Sequence, residues 1–278
     1  MAKRIVRSKH KRAPRKKITR AVTAPQKVLV MVHGAGTFPE DWYKPLVAAV
    51  EKELGHSFAY LPVYYADVTN RPRARALETP EQSQFKANFE RELRKSFDAA
   101  RSSPTIPADR AVSIAGLPAP LERFGGITKE LAAYFFDAGV RAEIQARLTT
   151  VLDQAKQKSQ DIVLACLSLG TVVCFDALRQ SAQRYRIPFW FTTGAPIAKL
   201  RRIGVYDDNL GALTAQNVAR WYNVYDTTDW IADPLGPSFP KPGYRLHDIF
   251  VNVAFDPIAS HDYFTNRETI KMFADALR

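Results

Sequence analysis

The order in which buried strands, turns and helices follow one another most constrains how this chain can fold. Residues 27–34, KVLVMVHG, form a short apolar run that ends at a glycine, which predicts a strand buried on both faces. Apolar residues at helical spacing follow from Trp42 to Leu54. The order repeats at residues 161–167, DIVLACL, which lead directly into the helical pattern LGTVVCFDAL. This alternation predicts an α/β fold with a mostly parallel sheet and helices on both faces.

Four further runs complete the expected sheet, and one long stretch interrupts it. Helical spacing returns in residues 138–158 and 267–277, and a charged helix is expected over residues 81–101. Between residues 69 and about 126 the apolar pattern loosens, and its later part is rich in Pro and Gly. Loops of this length are usually lids or binding elements, so we expect a lid-like insertion at about residues 69–130. The further strand-like runs are FAYLPVYYADV (58–68), PFWFTTGAP (188–196), NVARWYNVYD (217–226) and LHDIFVNVAF (246–255).

The positive charge of the chain is concentrated at its start. Of a formal net charge of +12, residues 1–20 contribute ten Lys or Arg and no acid, which leaves +2 for the rest. We therefore expect a disordered basic tail over residues 1–24 and one domain over residues 25–278. The tail lacks the apolar stretch of a secretory signal or a membrane span. It is either a solvated arm, a contact for nucleic acid or anionic membrane, or a transit peptide poor in Ser.

Cysteine usage and motif spacing exclude several classes of site. Cys166 and Cys174 are the two cysteines of the chain, too few for a disulfide framework, and we expect a reducing, cytoplasmic location. Neither CxxC nor HExxH spacing occurs, so the sequence predicts no metal site. The GAG of residues 34–36 is followed by neither GxGxxG nor GKS, and no cofactor is expected.

Ser168, in the sequence CLSLG, is predicted to lie on the turn between a buried strand and a helix. Such a turn needs small residues two positions before and after the serine, because their side chains crowd each other. Gly170 meets this condition fully and Cys166 approximately. The turn lifts the hydroxyl out of the sheet and directs the Leu169 amide, at a helix N-terminus, toward the same space. Ser168 is therefore either a nucleophile or a helix N-cap, a position that serine also fills well.

An activated serine needs a general base and a group that orients the base, and in this arrangement the acid and then the histidine follow the serine along the chain. His247 and His261 are the two downstream histidines. His247 enters an apolar strand, whereas His261 follows that strand among turn residues, and we predict His261 as the base. Asp226, Asp229 and Asp233 follow the run RWYNVY, and each could instead cap a turn. We predict Asp229 as the acid, with Asp226 as the alternative.

The loop after the first strand, HGAGTF, is the expected source of a second oxyanion donor. Its small residues let the backbone approach a ligand closely. The amide of Ala35 or of Gly36 would act together with that of Leu169.

These segments together resemble the α/β-hydrolase superfamily, in particular its lipase-like and GPI-inositol-deacylase-like branches. VLVMVHGAG resembles the strand and oxyanion loop, LACLSLGTVVCFDAL the nucleophile elbow, and FTTGAPI the T-x-G-[SA]-P strand end. WYNVYDTTDWIADPL and ASHDYF resemble the W-x-N-x-Y-D-x-x-D-x-[IV]-A and S-H-x-x-Y segments. The resemblance spans about residues 27–264 and departs at Leu167, where His is frequent, and at Cys166, where Gly or Ala is usual. It implies an α/β-hydrolase fold with Ser168 as nucleophile, Asp229 as acid and His261 as base.

The sequence is consistent with two functions from different classes. The leading hypothesis is a serine hydrolase that cleaves a carboxylic ester, small or lipid-like, through an acyl-enzyme on Ser168. Amidases and thioesterases use the same parts, and the shape of the pocket decides between them. The alternative is a hydrolase-fold protein that binds rather than catalyses, tethered by its basic arm to nucleic acid or anionic membrane.

Overall fold

Six strands form one all-parallel sheet in a computed structural model that describes residues 27–72, 78–102, 120–180, 184–206, 218–239, 246–254, 256 and 259–278. The basic tail predicted for residues 1–24 lies outside the described residues. The strands are β1 (Val28–Val32), β2 (Ala59–Val63), β3 (Ile162–Leu167), β4 (Phe189–Thr193), β5 (Trp221–Tyr225) and β6 (Leu246–Phe250). Their order across the sheet is β2-β1-β3-β4-β5-β6, which confirms the expected α/β fold with a parallel sheet.

The central strands are apolar throughout because helices cover both faces of the sheet. In β1, Val28, Val30 and Val32 point into one core cluster, whereas Leu29 and Met31 point into the other. All five side chains are fully buried. The alternation of side chains along a strand therefore fills two separate cores, as expected for a parallel sheet.

Helices form a layer on each face of the sheet. The two on one face, α1 and α8, pack against each other beside β3, and the remaining long helices belong to the other core. Within the part of the chain that the structure describes, no helix is both long and apolar enough to cross a membrane. The α-helices of the described ranges are α1 (Lys44–Leu54), α2 (Ala66–Thr69), α3 (Pro80–Ser102), α4 (Pro120–Phe136), α5 (Ala138–Lys158), α6 (Leu169–Gln180), α7 (Ile197–Arg202) and α8 (Arg267–Leu277).

The inserted region contains more helix than the sequence predicts. The Pro- and Gly-rich stretch expected to continue as a loop through residue 126 becomes helical at Pro120, where α4 begins, and the helix includes Gly125 and Gly126. Packing overrides the low helix propensity of glycine, since Phe124 and Leu131 of this helix are buried. Helices α3 and α4 contact each other and join the same core cluster as β1 and β3. Residues 103–119 lie outside the described residues.

The strand order creates a crevice beside β1. The chain leaves β1 toward β2 on one side, and β3 later pairs with β1 on the other. At such a switch point the loops at the carboxyl ends of the two strands diverge, and ligands of open α/β sheets bind there. The loop after β1 begins at His33 and the turn after β3 is Ser168, so both predicted segments start at this crevice.

Candidate active site

Ser168 has a backbone conformation that L-residues rarely adopt. Its φ is 51°, and among the described residues it is the one non-glycine residue with positive φ. Its N–H donates to Thr193 O at 2.9 Å, and its carbonyl accepts from Thr171 N at 2.9 Å and from Thr171 Oγ1 at 2.7 Å. These bonds offset a strain of about 1–3 kcal/mol.

This conformation distinguishes between the two interpretations of Ser168. An N-cap serine has extended φ and ψ, and its side-chain oxygen accepts from an amide of the first helical turn. The Ser168 Oγ is buried and makes no hydrogen bond to any residue that the structure describes. The geometry is therefore that of a hydroxyl presented on a strained strand-to-helix turn rather than of a cap.

The residues that flank Ser168 explain how the turn closes. A Cβ at Gly170 would lie 2.4 Å from His33 O and 2.9 Å from Val32 O, so no larger residue fits there. The side chain of Cys166 occupies the space between β3 and α6, where its Sγ lies 3.0 Å from Cys174 Sγ. Burial raises the pKa of Cys174 well above its usual value, which disfavours its thiolate as an alternative nucleophile.

The loop after β1 is fixed by a neutral histidine. Tyr65 N–H donates to His33 Nε2 at 3.1 Å, so the ring proton is on Nδ1, which donates to Gly34 O at 2.8 Å. Burial lowers the pKa of His33 to about 4, and the ring stays uncharged at neutral pH. His33 thus holds the backbone of the loop in place.

The two predicted donors of this loop are not equivalent. The Gly36 N–H donates to Glu130 Oε1 on α4 at 2.8 Å and is therefore already engaged. Of the two predicted donors, the Ala35 amide therefore stays the candidate. Leu169 is the first residue of α6, and the first amides of a helix have no acceptor within it. Glu130 is a residue of the candidate site that the sequence did not predict. It is distant from Gly36 along the chain, so no local sequence pattern indicates that the two residues are in contact.

His261 and Asp229 form the polar pair that the sequence predicts. His261 Nδ1 lies 2.8 Å from Asp229 Oδ2, and the Asp229 side chain is fully buried. The other oxygen, Oδ1, accepts from Ile231 N at 2.9 Å. Because a carboxylate accepts here, the Nδ1 of His261 bears the proton and Nε2 is left as the basic nitrogen. Nε2 is buried, and no described residue forms a hydrogen bond with it.

The other candidates have structural partners instead. Asp226 Oδ1 accepts from Thr228 N at 2.8 Å and Oδ2 from Val253 N at 2.7 Å, so this carboxylate fixes a turn. Asp233 forms ion pairs with Lys199 at 2.6 Å and with Arg202 at 2.8 Å. His247 is exposed on β6, where its ring is tilted against that of Tyr222 with the centroids 5.5 Å apart. Of the predicted acids and bases, the structure brings together Asp229 and His261.

The end of β4 contacts both Ser168 and His261. Ser168 N–H bonds to Thr193, and the next residue, Gly194, lies against the histidine: a Cβ there would be 2.7 Å from His261 Cε1. On its other side, Ser168 lies against Gly34 of the loop after β1, where a Cβ would be 2.8 Å from the Ser168 Cβ. The serine therefore lies between the loop with the Ala35 amide and the strand end that contacts the imidazole.

Tyr263 is a further residue of the site that sequence reasoning missed. Its hydroxyl donates to Asp229 Oδ2 at 2.9 Å and accepts from Asp226 N at 2.8 Å. The signal available in the sequence was its position two residues after His261 in the resembling segment ASHDYF.

Neither a metal centre nor a known relative adds to this geometry. Among the described residues, no group of three or more His, Cys, Asp or Glu side chains could hold a metal ion. Comparison of the chain with protein-family models, curated proteins and solved structures finds no match. A functional proposal therefore depends on the residues and geometry of this chain itself.

Proposed function

We propose that the chain is a serine hydrolase of the α/β-hydrolase type that cleaves a carboxylic ester through an acyl-enzyme on Ser168. The main support is the oriented His261–Asp229 pair, together with a serine that has a backbone φ of 51° and contacts the same end of β4 as His261 does. A nucleophile, a base and a group that orients the base are the parts that activated serines require. The strand order, with Ser168 directly after β3 and the Ala35 loop after β1, is compatible with the α/β-hydrolase fold.

In the first half of the proposed reaction, Ser168 Oγ attacks the ester carbonyl carbon while its proton passes to His261 Nε2. The amides of Leu169 and Ala35 donate to the carbonyl oxygen as it becomes negative. Asp229 remains ionised and stabilises the imidazolium that forms. When the carbon–oxygen bond to the leaving group breaks, the Nε2 proton goes to the departing alkoxide, and the acyl group remains on Ser168.

In the second half, His261 Nε2 takes a proton from water, and the hydroxide attacks the acyl carbon. The bond between that carbon and Ser168 Oγ breaks, and the Nε2 proton returns to the serine. The carboxylic acid is released and the free enzyme is restored. All proton transfers use one nitrogen, Nε2, which the bond between Nδ1 and Asp229 leaves free.

Labelling with a fluorophosphonate probe tests this proposal directly, because the probe reacts only with an activated serine. We expect stoichiometric labelling of the wild-type protein and its complete loss in Ser168→Ala. Ser159→Ala is the matched control: its hydroxyl only bonds the backbone at Asp161, so labelling should be unchanged. Hydrolysis of p-nitrophenyl esters of increasing acyl length then reports the substrate class, with Ser168→Ala again inactive.

Two results would contradict the proposal. Labelling or ester hydrolysis that persists in Ser168→Ala would remove the serine from its role. A well-folded wild-type protein without any labelling would instead favour a binding protein, which salt-dependent binding of nucleic acid or anionic liposomes, lost on deletion of residues 1–24, would support.

A further inference from the structure

The hydroxyl of Tyr263 connects the two aspartates of the loop after β5. It lies 2.9 Å from Asp229 Oδ2 and 2.8 Å from Asp226 N, and the side chain is fully buried. A backbone amide only donates, so the phenol oxygen accepts from Asp226 and its own proton points to Asp229. The direction of both bonds is therefore fixed by chemistry.

The phenol keeps this role over the whole working range of pH. Burial, and then the negative charge of Asp229, raise the pKa of Tyr263 well above its usual value. A neutral hydroxyl next to a carboxylate remains a donor. Tyr263 therefore does not compete with His261 for a proton, and its own proton stays in the bond to Asp229.

Asp229 Oδ2 is shared between two donors. His261 Nδ1 approaches it at 2.8 Å and Tyr263 Oη at 2.9 Å, while Ile231 N occupies Oδ1 at 2.9 Å. Three donors prevent the carboxylate from rotating, which fixes the direction of the imidazole. The Tyr263 bond also withdraws negative charge from the oxygen that faces His261, and this reduces the stabilisation of the protonated ring.

The ring of Tyr263 limits the movement of the imidazole as well. Its Cε2 would lie 3.0 Å from a Cβ at Gly194, the residue that also contacts His261. The two rings meet edge to face, with centroids 6.2 Å apart. The tyrosine and Gly194 thus enclose the histidine from two sides.

We propose that Tyr263 is a positioning residue that, through Asp229, fixes the orientation of His261 and sets the pH above which Nε2 is free to accept a proton. The catalytic consequence rests on the proposed hydrolase function. The effect of the Tyr263 hydrogen bond on the protonation of His261 does not rest on that function, since it can be measured without any substrate.

The side chains of the other charged groups near this pair do not bond to the phenol. From α7, the buried Lys199 interacts with the charge of Asp229 but is paired with Asp233 at 2.6 Å. Asp226 is held by its own turn, and Asp262 is adjacent to His261 in the chain. The end of β4 and the turn between β3 and α6 contribute no titrating group at neutral pH. A change in the titration of His261 therefore reports the Tyr263 bond.

The first experiment measures the protonation of His261 from its imidazole ¹⁵N shifts in wild type, Tyr263→Phe and Tyr134→Phe. Loss of the Tyr263 donor leaves more charge on Asp229 Oδ2, so the titration midpoint of His261 should rise in Tyr263→Phe. Tyr134→Phe is the matched control, because Tyr134 is also a buried tyrosine that donates to an aspartate. Its hydroxyl lies 3.0 Å from Asp176 Oδ2, and it forms no hydrogen bond with Asp229 or His261. Its His261 midpoint should equal that of the wild type.

Replacing Tyr263 by 3-fluorotyrosine gives a test that retains the ring and the bond, and so does not depend on whether Tyr263→Phe folds. Its more acidic hydroxyl is the stronger donor, and the His261 midpoint should fall. An unchanged midpoint in the fluorotyrosine protein would overturn the proposal whatever Tyr263→Phe does.

Fluorophosphonate labelling at each pH gives the catalytic readout. In Tyr263→Phe we expect the maximal labelling rate to fall by about 10-fold, as for loss of a hydrogen bond to a charged group. The pH at which the labelling rate declines on the acidic side should shift together with the titration midpoint of His261. A shifted midpoint in a protein that the probe never labels would support the Tyr263 bond and reject the hydrolase. Normal labelling with unshifted His261 midpoints would support the hydrolase and reject the proposed role of Tyr263.

Discussion

At the scale of single residues, the site depends on which polar groups already have partners. Asp226 and Asp229 are three positions apart in the same loop, yet one carboxylate accepts from turn amides and the other from His261. The sequence ranks Asp229 first but leaves Asp226 open, because a turn aspartate and a catalytic aspartate occur in the same local pattern. Only the position of His261, which belongs to a distant segment of the chain, distinguishes Asp229 from Asp226.

We expect exchange of each aspartate for asparagine to have different effects. Asp229→Asn offers an amide to His261 Nδ1 and favours the wrong tautomer, so labelling should slow by about 10³-fold or more. Asp226→Asn should lower stability by about 1–3 kcal/mol, since an amide group meets the Thr228 or Val253 donor, and should change labelling far less. Thermal unfolding and labelling rates of the two variants check this, and equal labelling in both would contradict the assignment of the acid.

At the scale of elements, helices α3 and α4 contact the candidate site. Phe97 and Phe124 pack on Trp230, directly after Asp229, with ring centroids 4.8 Å and 5.7 Å away. From the same pair of helices, Glu130 binds the amide of Gly36. Helices α3 and α4 therefore contact both the loop that contains Asp229 and the loop after β1.

A substitution in α3 tests how far the inserted helices share the main core. Phe89 is fully buried on α3, and Phe89→Ala should destabilise the protein by about 3–5 kcal/mol in one cooperative denaturant transition. Arg94→Ala, at an exposed position of the same helix, should change stability by less than about 0.5 kcal/mol. A loss below about 1 kcal/mol in Phe89→Ala would mean that α3 contributes little to the stability of the core.

The sequence predicts elements where local pattern and packing agree. All six strands, and the helices at Ala138–Lys158 and Arg267–Leu277, lie within the segments that apolar periodicity predicts. The run predicted as a strand over residues 58–68 is wrong at its end, where β2 stops at Val63 and α2 occupies Ala66–Thr69. Helix α4 escapes such a prediction because Gly125 and Gly126 disfavour a helix locally, and only burial of Phe124 and Leu131 against distant residues compensates. Ser168, Asp229 and His261 could be predicted as candidate site residues because each lies in a local sequence motif. Glu130 could not, because only the fold brings it to the amide of Gly36.

At the scale of the whole molecule, the strand order gathers the site at one edge of the sheet. The loop after β1, the turn after β3 and the segments after β4, β5 and β6 all begin at carboxyl strand ends. Parallel strands are predictable from the alternating elements, but the pairing of β3 beside β1 is not, because local periodicity contains no information on strand order. The crevice between those strands is a property of the complete sheet.

The buried His33 makes the stability of the molecule depend on pH. Its pKa is about 4 in the folded chain and about 6.5 when unfolded, so the unfolded state binds more protons between these values. The contribution of this pKa difference to the free energy of unfolding is complete above pH 6.5, and the free energy should decline by about 3 kcal/mol as the pH falls to 4. Denaturant unfolding of wild type and His33→Gln over this range measures the difference, and parallel pH profiles would contradict it.

The distance in sequence between Ser168 and His261 has a consequence for biosynthesis. The strained turn at Ser168 leaves the ribosome well before the strand β6 and the segment that contains the imidazole. Until those segments have docked, the serine has no base, and under the proposed mechanism a nascent or truncated chain that ends before residue 261 is chemically silent toward esters. The order of its own segments would thus delay hydrolysis until the segment that contains residue 261 has been translated and has docked.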